Sequence, residues 1–374
     1  MTHCVFIYVT ILLLLPYLAG VFYILFTLKK EADFKIEAST PQQRISVLVP
    51  FRNEEKALPF LIESLKNQQY LHSLSEFILI NDHSTDNGLK LATQLTQNDA
   101  RFRILSLPIN IIGKKGAIEY ALSTTNGELL IQTDADCTMG INWLPQIVAF
   151  QEQTKADLII APVVIKSDRS FFSKLQSIEF ASLSSVVAGS ALANRALLIN
   201  AANMAYRKEA VATFDNPFCR AKASGDDQFL LQNMQEQKLN IGYLKSTEAI
   251  VYTNPTETLK EFIQQRVRWA SKSKAYKSPF LKFVAILIFL LNAWIAFLFI
   301  AGFFIYPFFG LFILALGLKT MADYPLLYYF QHWSKAIFST ALFAATQLLY
   351  SFYTTFTSLW AITHSVQWKQ RKVY

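Results

Sequence analysis

The stretch ELLIQTDADCT, Glu128 to Thr138, decides how this chain is read. Leu129, Leu130 and Ile131 form a short apolar run of the kind that is buried as a strand. Within three residues it gives way to Asp134 and Asp136. In an extended segment, residues i and i+2 point to the same side. Two carboxylates so disposed repel each other unless a proton or a cation joins them. A hard divalent cation with oxygen ligands, Mg²⁺ or Mn²⁺, meets that need. A solvated acidic turn is the plainer alternative, and D-x-D alone does not separate the two.

The segments on either side repeat one pattern. RISVLVPF (44–51) is an apolar, β-branched run, and NEEKALPFLIESLKNQ (53–68) has helical spacing at Leu58, Leu61, Ile62 and Leu65. EFILIND (76–82) reads as a strand, DNGLKLATQLTQ (86–97) as a helix and FRILSLP (102–108) as a strand. KKGAIEYALSTT (114–125) is again helical, before GELLIQTD (127–134). Strands alternating with helices predict an α/β domain with a parallel sheet covered on both faces. Ligands of such sheets bind beyond the carboxyl ends of the strands. Those ends carry Arg52, Asn53 and Glu54, then Asp82 and Asp86, then Asp134 and Asp136. There is no internal repeat and no low-complexity linker.

The 374 residues are 52% hydrophobic and 17% charged, oily for a soluble protein, and the oil is concentrated at the two ends. Val5 to Leu28 carries no charge and is long enough to cross a bilayer. It lacks the basic n-region of a signal peptide, so an anchor is expected. Lys29, Lys30, Lys35 and Arg44 follow it, which predicts a cytoplasmic domain with the N-terminus outside. Phe283 to Leu318 is also uncharged and too long for one crossing of ~20 residues, and Gly302 and Pro307 are where it should break. Ala336 to Ile362 is a further candidate. Counting it as a span would leave the basic WKQRK (368–372) outside, against the positive-inside rule. Three or four spans are therefore expected, one segment being re-entrant or interfacial, with Asp323 at the interface. The expected domains are 1–28 (membrane helix), 29–280 (cytoplasmic α/β domain ending in an interfacial helix), 281–366 (membrane helices) and 367–374 (basic tail).

Cys4, Cys137 and Cys219 have no paired spacing, which fits a reducing compartment. The net charge of +8 does not point to nucleic acid. Lys260, Arg266, Arg268, Lys272, Lys274, Lys277 and Lys282 cluster just before an apolar segment, where they attract anionic headgroups.

VPFRNEE, ILINDHSTD, GKKGAIEYAL, QTDADC, SGDDQFLL and QQRVRW together resemble, in order and spacing, the motifs of family 2 glycosyltransferases over residues 44 to 270. That resemblance implies inverting transfer on the GT-A nucleotide-sugar fold, a Rossmann-like sheet. It implies that Asp134 and Asp136 hold Mg²⁺ or Mn²⁺ against the donor diphosphate, Asp136 by direct ligation, and that Lys114 lies near that diphosphate. Asp82 would hydrogen-bond the base, with Asp86 its companion, and Pro50, Asn53 and Glu54 would frame base and ribose. Asp227 would be the general base on the acceptor side. QQRVRW resembles the Q-x-x-R-W motif of membrane-integrated members, the cellulose, hyaluronan and poly-N-acetylglucosamine synthases, with a related form in ceramide glucosyltransferases. Gln265, Arg268 and Trp269 take its positions, Arg268 toward the diphosphate and Trp269 toward an acceptor sugar or the pocket.

Each motif also has a plainer reading. GKKG is then a helix start with exposed lysines. Asp86 caps a helix, Asp226 and Asp227 favour a helix dipole, and QQRVRW is a basic helix lying on the bilayer. His83 has no derived role.

The expectation is a multi-pass inner-membrane enzyme. It takes a nucleotide-sugar donor, UDP-linked, and a lipid or lipid-linked glycan acceptor, with its catalytic domain cytoplasmic and no nucleic-acid partner. A processive polysaccharide synthase is the first alternative; few helices argue against it, because a polymer channel must hide polar sugars inside protein. A catalytically inactive membrane scaffold is the alternative of another class.

Overall fold

The computed structural model describes residues 2–36, 42–168, 170–218, 225–336, 339–363, 366–368 and 371–373. In chain order the elements are α1 (Thr2–Lys30), β1 (Ile45–Phe51), α2 (Leu58–Lys66), β2 (Ser75–Asn81), α3 (Gly88–Thr96), β3 (Phe102–Ser106), α4 (Gly113–Leu122) and β4 (Leu129–Gln132). Then come β5 (Thr138–Met139), α5 (Trp143–Thr154), β6 (Leu158–Ile160), β7 (Val163–Ile165), α6 (Phe171–Leu192), β8 (Met204–Arg207), α7 (Lys208–Ala212) and α8 (Asp226–Glu236). The rest is β9 (Ile241–Tyr243), β10 (Val251–Thr253), α9 (Leu259–Ser271), α10 (Pro279–Gly302), α11 (Tyr306–Trp333), α12 (Thr340–Thr363), β11 (Val366–Trp368) and β12 (Arg371–Val373). They form two units.

The α/β unit comprises Lys30–Lys166 and Val186–Asn254. Its seven-stranded sheet has the order β3-β2-β1-β4-β8-β6-β9. The first four strands are parallel, as their apolar runs require: Ile45, Val47, Leu48 and Val49 of β1 are fully buried, as are Phe77 to Ile80 of β2. The parallel sheet expected from these four strands continues into β8, which was not foreseen and runs antiparallel to both β4 and β6. A second sheet, β5-β10-β7, was not foreseen. Its strands are two or three residues long, too short to show a period.

Two boundaries shift in ways that matter. The helix expected from residue 53 begins at Leu58, with Pro59 in its first turn, which leaves residues 52–57 as a loop. The strand expected to reach Asp134 ends at Gln132, its register partner on β1 being Leu48. Pro50 lies past that last β1–β4 pair, where its missing N–H interrupts no ladder to β4.

The helical unit comprises Met1–Lys29, Ser167–Ser185 and Pro255–Tyr374. Among the described residues three helices are long and apolar enough to cross a membrane, one near the N-terminus and two C-terminal: Cys4–Lys30, Pro279–Gly302 and Tyr306–Trp333. The chain breaks between the last two at Gly302 and Pro307, as expected. The third C-terminal candidate forms α12, which carries Thr346, Gln347, Ser351 and Thr355 and is not among the three. Leu14, Leu291, Ile295, Leu298, Phe308, Phe312 and Ala315 form the unit's apolar core.

Asp323, expected at the interface rather than buried, lies within α11 with a side chain that is largely buried in the protein, 14% exposed. Lys319 Nζ donates to Asp323 Oδ2 and to Gln347 Oε1, both at 2.7 Å. The Tyr17 hydroxyl donates to Asp323 Oδ1 (2.6 Å). The Lys319 ammonium also lies 5.6 Å and 5.2 Å from the ring centroids of Tyr17 and Tyr350. A charge inside an apolar bundle is retained only with such partners, and they lie on three different helices that no local sequence pattern joins.

Candidate functional site

The loops after β1 and β2 are laced together. Arg52 Nη1 donates to the carbonyls of Asp82 and His83 (2.8 and 2.7 Å). The Asn53 N–H donates to Ser84 Oγ (3.1 Å), and Asn53 Oδ1 accepts from the Thr85 N–H (2.8 Å). Asp86 accepts from the N–H groups of Glu55 (2.9 Å) and Gly88 (3.0 Å), the latter at the start of α3. Asn53 and His83 both have positive φ, 54° and 51°, a conformation asparagine tolerates better than most residues. Asn53 and Asp86 therefore have evident structural work, tying one strand end to the next. His83 gains a role that its sequence did not give: its Nε2 hydrogen-bonds the Ile111 carbonyl (3.0 Å), so that nitrogen carries the proton.

Asp82 is 2% exposed, and its Oδ2 accepts from the Gly113 N–H (3.1 Å). Gly113 opens α4 with φ +83°, a conformation that favours glycine. The hydrogen bond fixes the start of the helix that bears GKKG. Its two lysines are not a pair of exposed charges. Lys114 forms an ion pair with Asp134, and Lys115 is buried with its ammonium 4.6 Å from the Phe229 ring centroid of α8. Burial would lower the pKa of Lys114, but the charges of Asp134, Asp226 and Asp227 outweigh it and hold the group well above its ordinary value.

Asp134 and Asp136 lie past the end of β4 in a turn, with the Cys137 N–H donating to the Asp134 carbonyl (3.2 Å). The extended geometry expected of them is thus corrected. The two carboxylates have different partners: Asp134 meets Lys114, whereas Asp136 Oδ2 accepts from the Thr253 hydroxyl of β10 (3.0 Å). They still act on each other. Burial, then the charge of Asp134, then that of Glu54, push Asp136 up to about 6. That repulsion fits a divalent cation, which would relieve it. Among the described residues no third His, Cys, Asp or Glu completes a ligand set, so donor diphosphate oxygens and water would have to supply the remaining positions.

Asp226 and Asp227 open α8 behind Gly225, whose φ of +92° again requires glycine. Both are buried. Asp226 Oδ2 accepts from Gln132 Nε2 (2.9 Å), and Asp227 Oδ1 accepts from the Gln228 N–H (2.8 Å). The α/β unit thus brings Pro50, Asn53, Glu54, Asp82, Asp86, Lys114, Asp134, Asp136 and Asp227 to the ends of its strands and the starts of α4 and α8.

Gln265, Arg268 and Trp269 belong to the helical unit, on α9. That helix starts with a capping box between Thr258 and Glu261. The buried arginine of QQRVRW is Arg266, 4% exposed, not Arg268. Arg266 Nε donates to both oxygens of Glu179 on α6 (2.9 and 3.1 Å), and its guanidinium also bonds Gln265 Oε1. It lies between the rings of Phe262 (4.4 Å) and Trp269 (4.3 Å). Gln265 and Trp269 therefore support Arg266. Sequence reasoning missed this arginine and Glu179 because the partner lies far along the chain; it also missed Gln132 and Thr253. Only Gln132 left a signal, a polar residue inside a buried apolar strand. Cys137 is free and buried; Cys219 lies outside the described residues.

Residues 46–215 match the model for Glycosyl transferase family 2, so the chain carries a glycosyltransferase domain of that family with the GT-A fold. A beta-monoglucosyldiacylglycerol synthase of Nostoc sp. is 26% identical over 158 residues, 42% of this chain and 33% of that protein. An undecaprenyl-phosphate 4-deoxy-4-formamido-L-arabinose transferase of Proteus mirabilis is 31% identical over 111 residues, 29% of this chain and 34% of that protein. An N-acetylglucosaminyltransferase of Rhizobium meliloti is 23% identical over 239 residues, 62% of this chain and 55% of that protein. The chain thus spans about a third to just over half of these curated relatives. Among solved structures, a mannosyltransferase from Pyrobaculum calidifontis in complex with GDP-Man and Mn²⁺ shares the fold. Its TM-score is 0.60 at 13% identity, over 95% of this chain and 98% of its own.

Proposed function

We propose that this chain is a membrane-bound inverting glycosyltransferase that moves one sugar from a UDP-linked donor to a lipid or lipid-linked glycan acceptor. The observation that carries the reading is the convergence of Lys114, Asp134, Asp136 and Asp227 in one unit, with Lys114 held cationic among the acids. The three apolar helices and the two relatives named for lipid substrates support a lipid acceptor.

The reaction asks for three things. The acceptor hydroxyl oxygen bonds to the anomeric carbon while the carbon–oxygen bond to the diphosphate breaks, inverting that carbon. The hydroxyl proton passes to the Asp227 carboxylate. The nucleoside diphosphate leaves with added negative charge, which the Lys114 ammonium offsets. A bound Mg²⁺ or Mn²⁺, held by Asp134 and Asp136, supplies Lewis-acid stabilisation of that diphosphate. Asp82, by holding the Gly113 N–H, orients α4 and so the ammonium. In the helical unit, α9 presents Lys260 and Arg268 toward lipid headgroups. The inner membrane, with the α/β unit on the cytoplasmic side, is the location proposed from Lys29, Lys30, Lys35 and Arg44.

A donor screen tests the reading. Purified membranes carrying the chain are given UDP-, GDP- and dTDP-sugars with lipid extract, and released nucleoside diphosphate is measured. Release with a UDP-sugar that depends on added lipid supports the proposal; release with none of the donors contradicts it.

A further inference from the structure

A glutamine closes the buried strand that leads to the carboxylates. Gln132 is the last residue of β4, wholly buried, paired with Leu48 of β1 and Met204 of β8. A side-chain amide in that position needs partners at both ends. Its Nε2 donates to Asp226 Oδ2 (2.9 Å), and the Tyr206 hydroxyl of β8, also wholly buried, approaches its Oε1 at 3.5 Å. Burial first, and the Asp226 charge second, push the Tyr206 phenol far up, so it remains a neutral donor. Asp226, at 6% exposure, is not a solvated cap on α8. Its carboxylate lies under the sheet's end, facing the amide.

The sequence positions give this hydrogen bond its meaning. Asp226 immediately precedes Asp227, and Gln132 precedes Asp134 by two. One side-chain contact therefore joins the strand end that bears the diphosphate-side carboxylates to the helix start that bears the base. Lys115 against Phe229 fixes the same first turns of α8 from α4, whose neighbouring residue Lys114 pairs with Asp134. Gly225 at φ +92° turns the chain into α8 without a side chain of its own to set the direction.

We propose that Gln132 and Asp226 are positioning residues: their hydrogen bond sets where the Asp227 carboxylate stands relative to Asp134 and Asp136. The proposal rests on the glycosyltransferase reading above. A misplacement of about 1 Å in a reacting group can cost on the order of 10²-fold in rate, so loss of the bond reads out in turnover more than in donor binding.

The test uses the purified full chain, a transfer assay and amide hydrogen exchange. Gln132→Leu keeps the volume and removes the donor. It should lower kcat at least about 10-fold while the donor KM stays within about threefold, because the donor-side groups are untouched. Exchange should speed up in the peptide spanning residues 225–231 and not in peptides of β1 and β2. Asp226→Asn keeps an acceptor oxygen for the amide and should lose less turnover than Gln132→Leu. Should Gln132→Leu fail to fold, Gln132→Asn, too short to reach Asp226, takes its place with the same readouts. Wild-type kcat in the glutamine variant overturns the proposal, as does a rise in KM without loss of kcat. An inactive Asp226→Asn beside an active Asp227→Asn also overturns it, and makes Asp226 the base. If the wild-type chain transfers no sugar, the glycosyltransferase reading itself falls. Exchange then decides the anchor alone: faster exchange at 225–231 supports it and unchanged exchange overturns it.

Discussion

Lys114 of GKKG is ion-paired with Asp134 of QTDADC across the ends of α4 and β4. The lysine of one motif is thus the countercharge of the other, and both remain partly accessible, at 22% and 35% of their side chains. That places a fixed cation at the strand ends of the sheet's parallel half, where ligands of such sheets bind.

Lys114→Met should therefore impair transfer strongly while leaving the fold intact. Removing one preorganised donor to developing negative charge costs about 10²- to 10³-fold in kcat. Nucleoside diphosphate release under saturating donor measures it. Turnover within a factor of about two of wild type would remove Lys114 from the leaving-group side.

Chelation addresses the paired acids. Asp136 is pushed up by burial and by Asp134, a repulsion that a divalent cation relieves. Excess chelator should abolish transfer, and Mn²⁺ or Mg²⁺ should restore it. Full activity in chelator would leave Lys114 as the sole neutraliser of the diphosphate.

Asp227 and Asp82 should separate kinetically. Asp227→Asn retains shape but cannot take the acceptor proton, so nucleotide affinity should survive while kcat falls by about 10²- to 10⁴-fold. Asp82→Asn should mainly weaken nucleotide binding, read by calorimetry with UDP, because Asp82 holds the start of α4.

The helical unit makes a prediction about stability. Lys319→Met strands Asp323 among Tyr17 and apolar neighbours, and breaking a buried pair this way costs about 3–5 kcal/mol. The double change Lys319→Met with Asp323→Leu should recover much of that loss. Thermal unfolding in detergent compares the two; equal destabilisation by single and double changes would contradict the account.

The parallel half of the sheet was legible because each strand is a continuous apolar run bounded by polar turns. Glu54, Asp82, Asp86, Asp134 and Asp136 stood out at those strand ends for the same reason, whereas Glu55, whose carboxylate accepts from the Asn87 N–H, did not. The antiparallel β8 was not, since MAYR has neither the length nor the alternation that marks a strand. The turn that gives Asp134 and Asp136 different partners, Lys114 and Thr253, was invisible because i, i+2 spacing fits both an extended and a turned backbone. Motif spacing pointed to Arg268, and nothing in the sequence showed that Arg266 is the one buried, because its partner Glu179 lies on another helix. Lys319 and Asp323 are an i,i+4 pair that the sequence could have shown, but their links to Tyr17 and Gln347 depend on helix packing that no local pattern encodes.

Single sugar transfer to a lipid or lipid-linked glycan is tested most directly by giving the purified chain a radiolabelled UDP-sugar and lipid extract, then partitioning the label between organic and aqueous phases, with Asp227→Asn alongside. Label in a short organic-soluble product from the wild type, and none from Asp227→Asn, is the predicted result. A long, water-soluble, hydrolase-sensitive polymer made by this chain alone would contradict it and make the chain a polysaccharide synthase.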